Sequence, residues 1–370
     1  MKKRWISGET LGISAMIIAS ITGVGFASGQ EVYQFFIRFG GKSFIAVLLY
    51  PVLIGLFSYA FLYVQKRRNT ETYESVIVSF NCKPVKKMVD LVITFFISTC
   101  VISMIAASGT IVRQLFGFPT AVGSIACTMV ITVAVLVKNM SLVARFMRIV
   151  VPIFVLSICL VCIASLFLPE QVSAAPVQTP GLLNNWLVFG MIYISYSMLL
   201  IIGVLASLKN RLQEKRRIAF SSIFPPLVLF TLILLQFLAI SRQTSISGIG
   251  ELPMPQIGRM VTPAVFYIYQ VILLLAACCA AISCFFSTFY RVIRIRAVST
   301  VRQWVVAVVM AVLFYIASGI GFVNIVSYVY PFIGFLGCFI MVFLMISFFD
   351  TRKKEKEKEK EKKAMQQDHS

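Results

Sequence analysis

Long uncharged apolar runs alternate with short polar stretches along almost the whole chain. A membrane-crossing helix needs about 20 predominantly apolar residues. Runs of that kind fall at about 10–37, 43–65, 89–115, 119–137, 147–168, 186–208, 218–240, 263–290, 303–322 and 326–349. The pattern predicts an all-α integral membrane protein of ten transmembrane helices joined by short loops.

Composition agrees with the pattern. Of 370 residues, 59% are hydrophobic and 13% charged, against about 45–50% and about 25% in soluble domains. A water-soluble enzyme and a disordered chain are both excluded. The net charge of +20 raises the question of nucleic acid, but the charges sit in tight clusters between the apolar runs. No charge interrupts the stretch from Glu170 to Lys209 or that from Arg302 to Asp350. This is the footprint of membrane topology, so the expected partners are the lipid bilayer and a small-molecule solute, with no nucleic acid. The sequence leaves the oligomeric state open.

Orientation follows from the positive-inside rule. Alternating the ten spans from a cytoplasmic N-terminus puts 29 Lys and Arg on the inside and five (Arg38, Lys42, Arg113, Arg242 and Arg259) on the outside. Both termini are therefore expected in the cytoplasm. The opening Met1-Lys2-Lys3-Arg4 before an apolar run resembles a leader, but Glu9 and the continuation past Gly29 argue against cleavage. The Lys-Glu tail, KKEKEKEKEKK, reads as a solvated helix or coil touching anionic headgroups, without chemistry of its own.

The sequence contains one His, His369 in the tail, and nine Cys. All the cysteines except Cys82 lie in apolar segments, and Cys159-x-x-Cys162 has no His or carboxylate nearby. They read as small buried apolar residues, and neither a metal site nor an enzyme is expected.

The two halves of the chain match in outline. Pro51 and Pro225/Pro226 are offset by about 174, and Pro152 and Pro331 by 179. Five spans per half make the second half start from the opposite side, the arrangement of an inverted repeat. The expected units are residues 1–168, residues 169–349 and a charged cytoplasmic tail, 350–370.

The stretch Thr22-Gly23-Val24-Gly25-Phe26-Ala27-Ser28-Gly29-Gln30-Glu31 falls inside the first span. Three glycines within seven residues disfavour a helix interior by roughly 1 kcal/mol each. Freed backbone groups at this depth are tolerated only where they are buried in protein or line a cavity. Ser28-x-x-Glu31 has the spacing of a capping box, which predicts a new half-helix starting there. Close small-residue packing is the plainer reading. An intramembrane carboxylate is a functional candidate by default, and Glu31 is the one placed well inside a span. Its alternative is a capping role, with Arg113 or Arg38 as partner. Asp90 reads as a helix-start charge beside Lys86 and Lys87.

GVGFASGQE near the start of a ten-span chain resembles the YkvI-like bacterial membrane proteins. These are grouped with the amino acid–polyamine–organocation (APC) transporters and their LeuT-like five-plus-five inverted fold. The resemblance is specific at residues 23–31 and loose elsewhere. It implies a solute transporter of the bacterial cytoplasmic membrane, for amino acids or related amines. It also implies breaks in helices 1 and 6, with the second near 197–208 or just before.

On that pattern the substrate-binding candidates are Gly23, Gly25, Phe26, Ala27, Ser28 and Gly29 in helix 1 and Tyr193, Ser195, Tyr196 and Ser197 in helix 6. Phe26 or Tyr196 would act as a lid. Ion-coupling candidates are Glu31 with Ser283, Ser287 and Thr288 of helix 8, and the coupling ion is Na+ or H+. The loop 66–87, through Tyr73–Phe80, suits a short interfacial helix. The loop 241–262 suits a cap over the outer vestibule. The rival reading is an amino-acid-sensing receptor subunit resembling the spore germinant-receptor permeases.

Overall fold

The computed structural model describes residues 8–70, 72–79, 82–137, 140–170, 185–208, 215–243, 251–294 and 300–367. The Met1–Arg4 cluster, the basic residues of 209–214 and 295–299, and His369 lie outside the described residues.

Helices fill this chain because the apolar runs carry few breakers and lipid offers the backbone no alternative partner. They are α1 (Gly8–Ile21), α2 (Val24–Ala27), α3 (Gln30–Phe35), α4 (Phe44–Arg68), α5 (Tyr73–Ile77), α6 (Lys83–Phe116), α7 (Thr120–Val137) and α8 (Met140–Ser165). The second half holds α9 (Trp186–Ser207), α10 (Lys215–Arg242), α11 (Pro253–Val261), α12 (Pro263–Arg294), α13 (Thr300–Ser318), α14 (Phe322–Asn324) and α15 (Tyr330–Gln367). A π-helical turn, Ile325–Val329, joins α14 to α15. Among the described residues, eight helical segments are long and apolar enough to cross a membrane. Thr10–Ile21 and Ile149–Ser165 are two shorter apolar helices. The chain is a multi-pass membrane protein, nearly all helical among the described residues.

The helices sort by burial. α6 and α9 are mostly buried, whereas α7 and α13 expose most of their apolar surface, as helices facing lipid do. α12 lies along α6 and α8, α15 along α9 and α4, and α4 along α10. α2 and α3 are buried almost throughout, and α9 packs against α1, α3, α4 and α15. Pro51, Pro152 and Pro225/Pro226 sit inside helices, where neighbouring helices can take up the freed carbonyls.

One expectation fails here. α9 runs unbroken from Trp186 to Ser207, so the second break is absent. The physical reason is local. The segment has neither Pro nor paired Gly, and Tyr193, Ser195, Tyr196 and Ser197 present polar groups without unwinding the backbone.

Polar clusters tie the helix ends together. The Tyr73 hydroxyl donates to Asp90. Arg291 of α12 reaches Asp90 at 2.8 Å, the Tyr73 hydroxyl at 2.8 Å and Thr94 at 2.9 Å. Asp90 is thus a cross-helix partner as well as a helix-start charge. Arg68, at the end of α4, donates to Thr351 Oγ1 at 2.9 Å, Ser347 O at 3.2 Å and Asp350 at 3.2 Å. Losing this fork removes three hydrogen bonds between α4 and α15, although Ser347 O keeps its bond from Thr351 Oγ1 and Asp350 its pair with Lys354. Arg68→Ala is expected to lower stability by about 2–3 kcal/mol, measured by thermal unfolding in detergent, and Arg68→Lys to recover only part of it.

Candidate functional site

The interruption of the first span is double. α1 ends at Ile21, α2 is a single turn, and α3 begins at Gln30. Gly29 joins α2 to α3 with φ 78°, in the left-handed region that glycine enters without strain. A Cβ there would also crowd Ile240 at 2.8 Å and Met254 at 2.9 Å.

The backbone groups freed by the break find partners within the protein. The Tyr269 hydroxyl of α12 donates to Ala27 O at 2.5 Å, and the Met254 N–H of α11 donates to Ser28 O at 2.8 Å. α11 is held in turn through Glu251, which accepts from Thr110 at 2.5 Å and pairs with Arg113 at 3.0 Å. The loop 241–262 thus contains a helix, α11, that is hydrogen-bonded to the break. Residues 244–250 of that loop lie outside the described residues.

The Ser28–Glu31 pair does not form a capping box. Ser28 Oγ donates to Gly25 O at 3.1 Å and accepts from Gln30 N at 3.3 Å, while Ser28 N donates to Val24 O. Glu31 turns away into the protein. It is 2% exposed and accepts from the Tyr196 hydroxyl at 3.1 Å and the Tyr193 hydroxyl at 3.4 Å. Neither expected arginine reaches it. Arg113 pairs with Glu251, and Arg38 stacks over Phe39 and Phe189 at 4.6 and 4.4 Å. Among the described residues no Lys or Arg pairs with Glu31.

The two phenols belong to a row of four. Tyr50 of α4 packs on Tyr193 at 5.7 Å between ring centroids, Tyr193 on Tyr196 at 6.0 Å, and Tyr196 on Tyr330 at 4.8 Å. The π turn ends at Tyr330 and delivers it to the row; such turns recur at functional sites. The hydroxyls of Ser197 and Ser103 lie buried beside the row, Ser197 against Tyr50 and Tyr193 and Ser103 against Tyr330.

Beside Glu31 lies a cavity of about 70 Å³. Ala19–Gly23 of the first span, Cys100 and Met104 of α6, Phe154 of α8, Tyr196 and Leu200 of α9, and Cys279 and Cys284 of α12 line it. Among the described residues, Glu31 is the only charged side chain on its wall.

The structure thus brings Gly23, Gly25, Tyr193, Tyr196 and Glu31 together. Gly25 touches the Glu31 carboxylate so closely that a Cβ at Gly25 would overlap Oε1. Phe26 is buried in the core. Ala27 and Ser28 contribute carbonyls that are already taken. The N–H groups of Ala27, Ser28 and Gly29 are also used, by Gly23 O, Val24 O and Phe26 O. Of the N–H groups around Gly25 to Gly29 that could meet a solute carboxylate, those of Ala27, Ser28 and Gly29 are thus already taken.

Ser195 points the other way, donating to Gly334 O of α15 at 2.7 Å. The expected hydroxyls of α12 do not converge on the break. Ser283 and Thr288 bond back to Cys279 O and Cys284 O, and Ser287 is exposed. In their place α12 offers Cys279 and Cys284. Sequence reading passed over Cys100, Cys279, Cys284, Tyr50 and Tyr330 because an apolar helix carries no local mark of which face meets a cavity.

An interrupted first helix, a buried carboxylate at the interruption and a central cavity among helices define a membrane protein of transporter-like fold. The comparisons agree. The chain superposes on a manganese transporter from Eremococcus coleocola, solved in complex with an aromatic bis-isothiourea substituted compound. The TM-score is 0.56 over 92% of this chain and 85% of that one, at 9% identity. In sequence it is similar to two Bacillus subtilis (strain 168) proteins. One is the uncharacterized membrane protein YkvI, 21% identical over 329 residues, covering 89% of this chain and 93% of YkvI. The other is the uncharacterized protein YyaD, 21% identical over 337 residues, covering 90% of this chain and 94% of YyaD. No protein-family model matches the chain.

Proposed function

We propose that the protein is a secondary active transporter working by alternating access, with Glu31 as its coupling carboxylate. The solute is an amino acid or a related small amine. The observation that carries this reading is a carboxylate buried at the break of the first helix, on the wall of a central cavity, held by two phenols and by no cation among the described residues. A carboxylate at such depth must share its charge with a proton or a cation. That makes it able to distinguish loaded from empty states, which is what coupling requires.

The remaining features are read in the same frame. The ten apolar runs form two inverted five-helix units of an APC-type, LeuT-like fold, and both termini lie in the cytoplasm, as the 29-to-5 division of basic residues supports. A proton is favoured over sodium because Glu31 is an ionisable group on the cavity wall, whereas Ser283, Ser287 and Thr288 of α12 do not line that cavity among the described residues. A manganese cargo is not carried over from the solved structure. Among the described residues no group of three or more His, Cys, Asp or Glu gathers as metal ligands.

Uptake of labelled amino acids and amines into proteoliposomes tests the reading. Accumulation driven by an inward proton gradient and collapsed by a protonophore is expected. Accumulation driven by sodium alone would replace the proton by sodium as the coupling ion. Solute-dependent thermal stabilisation with no accumulation under either gradient would replace the transporter by a sensing receptor.

A further inference from the structure

A second cavity, of about 280 Å³, lies away from Glu31 between the end of α4, the start of α10 and the outward extension of α15. Its wall carries Lys66 and Arg67 from the last turn of α4, and Arg352 and Lys356 one turn apart on α15. The carboxylate on this wall is Glu355. Glu355 pairs with Arg67 and accepts from the Tyr63 hydroxyl. Among the described residues, four basic side chains and one carboxylate line this wall. Lys215-Arg216-Arg217, just before the lining residue Ile218, put further basic residues at the same end of the helices.

The pocket does not stand alone. Tyr59 lines it and also lines an apolar groove of about 540 Å³ between α4 and α10. Val52, Leu56, Ile223 and Leu227 form the groove's sides. These side chains face outward, with Val52 64% and Ile223 58% exposed. The groove has a close-packed floor, since a Cβ on Gly55 would stand 3.1 Å from Ser222 O.

A basic pocket at the level where helices leave the apolar layer, opening on an apolar groove within that layer, matches an anionic headgroup joined to an acyl chain. A soluble phosphate would use the pocket and leave the groove without purpose. We propose that α4, α10 and α15 form a binding site for an anionic glycerophospholipid. Its phosphate sits among Lys66, Arg352 and Lys356, and one acyl chain lies along the groove past Val52 and Ile223.

Native mass spectrometry of the full-length protein in nonionic detergent provides the test, with phosphatidylglycerol, phosphatidylcholine and glycerol 3-phosphate as probes. Retention of phosphatidylglycerol well above phosphatidylcholine is expected, without displacement by glycerol 3-phosphate. Lys66→Gln, Arg352→Gln and Lys356→Gln should each weaken phosphatidylglycerol by about fivefold. Arg67 is left in place because it pairs with Glu355. Val52→Trp fills the groove and should weaken the lipid while sparing the basic pocket. Equal retention of the two lipids by the wild-type protein would overturn the proposal, and this comparison needs no variant to fold. Displacement by glycerol 3-phosphate would overturn it in favour of a soluble phosphate. Unchanged phosphatidylglycerol binding in a triple Gln variant that melts with the wild type would also overturn it.

Discussion

Replacing Glu31 by glutamine is expected to reduce gradient-driven accumulation to the level of protein-free liposomes while leaving the fold intact. The amide has nearly the shape of the carboxylate. Its oxygen can still accept from one of the two phenols that now reach Glu31 at 3.1 and 3.4 Å. What it cannot do is take up and release a proton or attract a cation. Thermal unfolding of the variant should therefore match or exceed the wild type, because removing an uncompensated buried charge does not destabilise. Exchange of labelled for unlabelled solute, which needs no net ion movement, should survive at least in part. Loss of both exchange and stability would mark Glu31 as a structural group instead.

Gly25 carries the second large effect. A Cβ at this position would overlap Glu31 Oε1, and the neighbours on either side are buried: Val24, Phe26 and Ala27. Something must move, and the carboxylate is the mobile partner. Gly25→Ala is expected to push Glu31 off the Tyr193–Tyr196 pair and to cost about 1–3 kcal/mol in stability. Gly25→Leu should abolish accumulation outright. The pattern to look for is a loss of uptake in Gly25→Ala much larger than its loss of thermal stability. Alanine without effect on uptake would show that the contact between Gly25 and Glu31 is incidental.

Parts of this site were legible in the sequence, and the reasons are physical. Apolar runs long enough to cross lipid leave little choice but helix, so the pattern marks where the long helices fall. Gly23, Gly25 and Gly29 are costly inside a helix, and the chain is interrupted around them. Glu31 stands out because charge in lipid is expensive. The direction of its side chain does not follow from local spacing. Ser28-x-x-Glu31 fits a capping box, yet Ser28 bonds to Gly25 and Gln30 while the carboxylate finds phenols more than 160 positions away.

The unbroken α9 shows the opposite limit. Analogy with a broken sixth helix overrode a segment whose own residues favour a continuous one. The serines and threonine of α12 were chosen for their chemistry, but a helix can satisfy a hydroxyl on its own carbonyl four residues back. Ser283 and Thr288 do this. Tyr50 and Tyr330 join the row through packing between α4, α9 and α15, which only the assembled structure reveals.

The account stands on Glu31 as the group through which ion movement is tied to solute movement. The most direct measurement is proton entry itself. A pH-sensitive dye trapped in proteoliposomes would report the lumen when an amino-acid and amine mixture is added outside, for the wild type and Glu31→Gln side by side. The account predicts solute-dependent acidification in the wild type and none in Glu31→Gln. Equal acidification in the two would contradict it.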